Sequence, residues 1–333
     1  MSSRSTNRRF KPARRSESRC SASMLPCYPK LTRAVGTSAG AIVRGHRTAR
    51  IRTMAESLLT HEPTVRMAAF MAVLVLVAGW ECIAPRRRAD GTPSRWARWP
   101  ANLGIVVIDG LVLRLAFPIL AVGLAELAAA RQWGLLNTLS VPSSLAGVVS
   151  LIALDLTIYL QHVMFHAVPA LWRLHRMHHA DLAFDTTTGV RFHPIEIVLS
   201  MVIKLTVVAA LGPPAWAVLV FEVVLNATAL FNHGNIRIPT AIERSLRLVV
   251  VTPDMHRVHH SVHRDETNSN FGFNLPWWDR LFGTYRDAPR DGHERMRIGL
   301  PIFRDPKELR LERMLLQPFR DERESDPSLS SEP

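Results

Sequence analysis

The sequence predicts an all-α integral membrane protein: about four to five membrane-embedded helices with a cytoplasmic, histidine-rich helical cap. Three observations predict it. Five apolar stretches approach or exceed the roughly 20 residues that a bilayer demands. Arginine is concentrated in one of the loops that join them. Eleven of the fourteen histidines fall between positions 162 and 263, at the ends of those stretches.

The chain of 333 residues opens on a tail unlike the rest. Residues 1–53 hold thirteen Lys/Arg against one acid, Glu17, whereas the formal net charge of the whole chain is +13. The excess belongs to the tail and the remainder is close to neutral, which removes the main support for a nucleic-acid partner. The tail is rich in Ser and Arg and lacks apolar periodicity, so disorder is expected there. It also reads as a transit segment, or as sequence upstream of a true start at Met54. Cys20, Cys27 and Cys82 have neither metal nor disulfide spacing.

The apolar stretches cover 67–84, 102–130, 144–166, 195–212 and 215–231. The first two make an N-terminal transmembrane region, 67–130. Gly212-Pro213-Pro214 joins the last two as a turn, giving a short hairpin that barely spans or only dips in. Loop 85–100, "PRRRADGTPSRWARWP", holds five arginines, and loop 131–143 holds only Arg131. The positive-inside rule then puts 85–100 in the cytoplasm, 131–143 on the far side, and the residues after about 166 and after 231 in the cytoplasm again. A basic tail on the far side would break the same rule, which favours Met54 as the start. Trp96 and Trp99 suit an interfacial belt. Charged residues inside or near the spans are costly and face protein. Arg114, Glu126 and Lys204 suit helix–helix pairs or snorkelling. Asp155 and Tyr159 precede His162 by two turns and one, positions from which they could support it.

On a helix, residues three and four apart share a face. "HVMFH" therefore aims His162 and His166 together at the end of the third span. "HRMHH" groups His175, His178 and His179, and "HRVHH" groups His256, His259 and His260. His193 stands just before the fourth span and His233 just after the fifth. All lie at the predicted cytoplasmic end of a span or beyond it, so they gather at one membrane face. So many crowded imidazoles need something to hold their lone pairs. Eight to ten overfill one ion and suit two. Imidazole suits zinc, copper, iron or nickel. No cysteine joins the cluster, and the Glu-x-x-His of soluble di-iron bundles is missing. An all-histidine dinuclear site remains.

Residues 148–287 resemble the fatty acid hydroxylase/sterol desaturase superfamily of membrane di-iron oxygenases. The likeness rests on "QHVMFH", "LWRLHRMHH", "TTTGVRFHPIE", "FNHGNIRIP", "TPDMHRVHHS" and "NSNFGFNLPWWDRLFGTY". It implies two iron ions, O2 as co-substrate, and hydroxylation or desaturation of a lipid of sterol or fatty acyl type. It implies His162, His166, His175, His178, His179, His256, His259 and His260 as ligands, with His193 and His233 matching the intervening positions. The catalytic domain would cover 144–289 and a cytoplasmic C-terminal tail 290–333.

The chain has no haem, dinucleotide or iron–sulfur motif. Electrons would therefore come from a separate protein of cytochrome b5 or ferredoxin type, docking on loop 85–100 or on the basic stretch 310–323. Segment 264–289 reads as a cap on the site, with Trp277 and Trp278 either part of a lid or simple interface anchors. Two other classes compete: a histidine-lined metal transporter, which needs ligands at mid-membrane in inverted repeats, and a membrane zinc hydrolase, which needs a general base beside few ligands.

Overall fold

A computed structural model describes residues 57–88 and 91–321. The basic tail, the candidate start at Met54 and the last twelve residues lie outside them. The described residues form helices and turns with no strand; two isolated bridges, Pro85 with Ile236 and Ser261 with Ile298, join loops. Five segments are helical, long and apolar enough to cross a bilayer.

Helix α1 is Glu62–Ile83 and α2 is Arg95–Ala116. The second apolar stretch is not one rod. Phe117 is extended, as the residue before a proline prefers, and Pro118 cannot continue the helix. The chain restarts as α3, Ala121–Arg131. Helix α4 is Ser143–Ala167, and α5, Pro169–His179, follows after a single residue. Helices α6, Pro194–Leu211, and α7, Ala215–Asn232, form the expected hairpin. Gly212 ends α6 in the left-handed conformation, φ 67°, where a side chain would be strained. At 18 residues each, the arms are about 27 Å long, just short of a hydrocarbon core of about 30 Å. Helix α8, Pro253–His259, is short, and Thr252 caps it by accepting from the Met255 N–H.

The central core lies where α3 and α4 meet the hairpin. Ala121, Ala125 and Ala128 are fully buried and repeat along one face of α3. Their small side chains let α3 lie close on α6 and α7. Leu154, Ile158, Val208, Val218 and Phe221 complete the cluster.

A second, polar core binds the helix ends beneath the histidines. Arg98 of α2 is buried between Asp181, at 2.8 Å, and Asp185. Glu81 of α1 accepts from the backbone N–H groups of Thr186 and Asn235, each at 2.8 Å, and pairs with Arg95 at 2.9 Å. Removing one partner of such a buried pair costs about 3–5 kcal/mol, because the other charge is stranded.

This network changes the reading of loop 85–100. Arg95 and Arg98 belong to α2, Arg86 pairs with Asp254 and Glu294, and Arg87 donates to the His293 carbonyl. Four of the five arginines are thus engaged with protein, so their use in assigning a membrane side loses force. Trp99 turns inward to Asp185, 3.2 Å, while Trp96 is exposed. Lys204 pairs across the hairpin with Glu222 at 2.8 Å, which also meets Arg66 of α1 at 3.1 Å. Arg114 and Glu126 are exposed.

The stretch set apart as a C-terminal tail is packed as far as residue 321. Met296, Ile298, Phe303, Leu309 and Met314 are buried, and a short helix, Leu311–Leu316, lies against α2. The basic stretch beginning at 310 is therefore a strap. Arg173 donates to the Pro318 carbonyl and Arg176 to the Gln317 carbonyl.

Candidate metal centre

Nine histidines come together in two adjoining groups. His162, His166, His175, His179 and His259 form the first, and His178, His233, His256 and His260 the second. Within each group the ligand atoms lie within 4.8 Å of one another. All nine are buried except His166, which is partly exposed and marks the open edge of the first group.

The two H-R-x-H-H runs divide their side chains in a reciprocal way. From α5, His175 and His179, four residues apart, turn to the first group and His178 to the second. From α8 and its C-cap, His256 and His260 turn to the second group and His259 to the first. Each run thus builds one wall of both groups. Helix α4 adds His162 and His166 to the first, and the end of α7 adds His233 to the second.

Hydrogen bonds at the outer nitrogens show which ring atom faces inward. Facing carbonyl oxygens, the Nδ1 atoms of His162, His259 and His233 must donate, to Phe271 at 2.8 Å, Ser269 at 2.7 Å and Ala229 at 2.7 Å. His175 Nδ1 is hydrogen-bonded to Glu196 at 2.7 Å. A neutral ring with Nδ1–H carries a bare lone pair on Nε2. Yet His162 and His175 bring their Nε2 atoms to 3.1 Å, and His233 Nε2 lies 3.1–3.2 Å from those of His178, His256 and His260. Lone pairs aimed at one another repel unless a cation lies between them. Protonation is opposed, since burial lowers the pKa of both His175 and His233 from 6.5 to about 3. His178, His179, His256, His259 and His260 are pushed well below 6.5 for the same reason, followed by repulsion from neighbouring histidines. The inward Nε2 atoms of His166, His179 and His259 are buried without partners. Neutral, convergent, unsatisfied imidazoles fit two metal ions and leave a metal-free packing unexplained.

His193 joins neither group. Its Nδ1 accepts from the Ile195 N–H at 3.2 Å, capping α6, and its Nε2 faces the Leu315 carbonyl at 3.3 Å. Its importance is positional: by starting α6 it places Glu196 against His175. Sequence reasoning passed over Glu196, although a carboxylate three residues beyond a histidine at a helix start was a visible signal. Gly189 was also missed. A Cβ there would meet the Ala229 carbonyl oxygen at 2.3 Å and His233 Nδ1 at 2.9 Å, so only glycine lets the 186–190 turn lie against α7.

Asp155 and Tyr159 reach the loop over the site rather than a histidine. Asp155 accepts from Trp278 Nε1 at 2.7 Å, and Tyr159 bonds to Thr284 at 2.9 Å. Buried Asp279 accepts from the Phe271 and Gly272 N–H groups, each at 2.8 Å, and so fixes the carbonyl that orients His162. The arginines of the two runs point away from the histidines. Arg257 pairs with Asp254 and lies over Phe184, and Arg176 holds the C-terminal strap over Phe303. His263 is outside both groups, paired with Asp291 at 2.9 Å.

Fold and site together define a helical protein with five potential spans and, at one end of them, paired histidine groups shaped to hold metal. Residues 147–284 match the family model described as fatty acid hydroxylase. The chain is 32% identical over 149 residues to an ornithine lipid hydroxylase of Rhizobium tropici, covering 45% of this chain and 44% of the relative. It is 27% identical over 139 residues to human alkylglycerol monooxygenase, 40% of this chain and 29% of the relative. It is 28% identical over 142 residues to cholesterol 25-hydroxylase of Rattus norvegicus, 42% and 47%. These matches show that residues 147–284 are similar to fatty acid hydroxylase domains and to lipid hydroxylases and a monooxygenase. The chain spans less than half the length of each of these relatives. No solved structure matches it.

Proposed function

We propose that this chain is an O2-dependent membrane hydroxylase that places one oxygen atom in a C–H bond of a lipid, using a pair of iron ions. The observation that carries it is the joining of two all-imidazole groups, five and four histidines, at one end of the apolar helices. His162, His166, His175, His179 and His259 would hold one ion, and His178, His233, His256 and His260 the other. Iron, when bound, supplies the activation of O2 that an unactivated C–H bond requires.

The chain's own residues prepare the site. Glu196 and the carbonyls of Phe271, Ser269 and Ala229 hold four rings with Nε2 inward. Phe192 stacks on His178 and Phe271 packs edge-on against His162, His166 and His259, which keeps water from the rings. The partly exposed His166 marks the side from which substrate approaches. Hydroxylation is preferred to desaturation because the relatives named above are hydroxylases and a monooxygenase, and a lipid is preferred because theirs are lipids. Two electrons come from a separate donor of cytochrome b5 or ferredoxin type.

The test is reconstitution. Metal-stripped protein in lipid vesicles is loaded with Fe(II) or with Zn(II), then given reductant and isotopically labelled O2. Gain of one labelled oxygen in a lipid with iron alone is expected. Equal turnover with zinc, or lipid cleavage without O2, would overturn the reading.

A further inference from the structure

Among the segments outside the five spans that expose large apolar side chains are two that lie together: Ile242, Leu248 and Val249 in one, Trp277, Leu281 and Phe282 in the other. They are knitted into one surface. Trp277 Nε1 donates to the Leu248 carbonyl at 2.8 Å, and the Arg280 guanidinium donates to the Arg247 carbonyl at 3.1 Å.

The depth of this surface is fixed by α4. Trp278 bonds to Asp155, and the Phe282 ring stacks on Tyr159 with centroids 5.5 Å apart. Asp155 and Tyr159 lie about 18 and 24 Å along α4 from Ser143, inside a hydrocarbon layer about 30 Å thick if α4 spans it. A segment touching α4 at those residues lies within that layer, not above it. Helix α4 itself exposes Ile152 and Leu160 to the surroundings.

Irregular backbone is tolerated at such depth where protein satisfies its polar groups, and Asp279 and Trp278 supply several such partners. The Asp279 carboxylate takes the Phe271 and Gly272 N–H groups and the Thr284 hydroxyl. The Asp279 carbonyl takes the Thr284 and Tyr285 N–H groups, and the Trp278 carbonyl takes the Phe282 N–H. Arg244 and Arg280 are exposed beside the patch, and Arg244 has no ion-pair partner among the described residues. Long cationic side chains at such a rim reach lipid phosphates while their stems stay among apolar groups.

We infer that residues 277–283, seated on 242–249, form an in-plane membrane element that enters the bilayer from the histidine end without crossing it. Its occupant is the bilayer itself: acyl chains against Leu248, Val249, Trp277, Leu281 and Phe282, phosphates at Arg244 and Arg280. His162 lies only three residues beyond Tyr159 on α4, so this element brings acyl chains to the level of the histidines. The inference rests on packing and does not depend on the proposed activity.

The test uses the full chain in vesicles of phosphatidylcholine and phosphatidylglycerol, with Cys20, Cys27 and Cys82 replaced by Ser. Leu281→Cys and Val249→Cys carry a small fluorophore. Leu76→Cys, exposed on α1, is the lipid reference, and Ala288→Cys, exposed outside the spans, is the water reference. Quenching by doxyl-labelled lipid equal to that at Leu76→Cys, with iodide quenching lost relative to Ala288→Cys, is expected at both sites. Iodide quenching equal to that of Ala288→Cys overturns the inference. So does protection from both quenchers with Leu281→Cys cross-linking between chains, which would mean that a second copy covers the patch.

Discussion

The first histidine group is oriented by hydrogen bonds and the second by packing. Four of the five rings in the first have an outer partner: the Phe271 and Ser269 carbonyls, Glu196, and Asn268 at 3.2 Å from His166. In the second only His233 has one, while the Nδ1 atoms of His178, His256 and His260 are buried without partners. Apolar and ring contacts hold them instead. Phe192 stacks on His178 with centroids 4.6 Å apart, Phe184 lies 5.2 Å from His260, and Gly189 leaves room for His233. Each buried polar atom left unpaired costs roughly 1–3 kcal/mol. The second group therefore depends more on what it binds, and the first more on its hydrogen-bonding loop. An outer carboxylate also raises the basicity of a ligand, so the two ions would have different electronic surroundings.

The largest expected effect breaks the second group at its hub. His233→Ala leaves three imidazoles and should halve the metal content while abolishing lipid oxidation; His166→Ala leaves four in its group and should keep both ions. Metal analysis of the two purified variants decides it, and equal losses would remove the distinction between the groups. Gly189→Ala should come next. Its Cβ displaces His233 or α7, costing about 1–3 kcal/mol of stability as overpacking does. Metal should be lost from the second group while the first keeps its spectroscopic signature.

Glu196→Ala sharpens the other side. Loss of an outer partner typically weakens metal binding about 10–100-fold. The loss should be confined to the first group, and Glu196→Gln, which keeps an acceptor, should restore part of it. Competition with a chelator measures both. The smallest effect is on pH. The folded pKa values of His175 and His233 lie near 3, below the ordinary 6.5. Below 6.5 the unfolded chain takes up protons that the folded chain refuses, so stability is complete above 6.5 and falls towards pH 3. Thermal unfolding of metal-stripped protein should show a flat midpoint above about pH 7 and a steady decline on acidification. A midpoint that rises with acid would contradict the buried neutral state of both groups.

The sequence by itself determined the helical membrane class, the five apolar segments and the gathering of histidines. These depend on length, composition and the i, i+3, i+4 spacing of one helix, all local properties. It also located the Gly212 turn, because a left-handed residue followed by two prolines permits little else. The tertiary structure alone decided how the histidines are shared between the two groups. Nothing in H-R-x-H-H says that its first and fifth positions serve one group and its fourth the other, because that depends on the angle at which α5 meets α8. The exclusion of His193 and the recruitment of Glu196 likewise depend on where α6 starts relative to α5. The burial of Arg98 with Asp181 and Asp185 is a further case. Partners more than 80 residues apart in the chain leave no periodic signal, and only the packing of the helices brings their charges and lone pairs together.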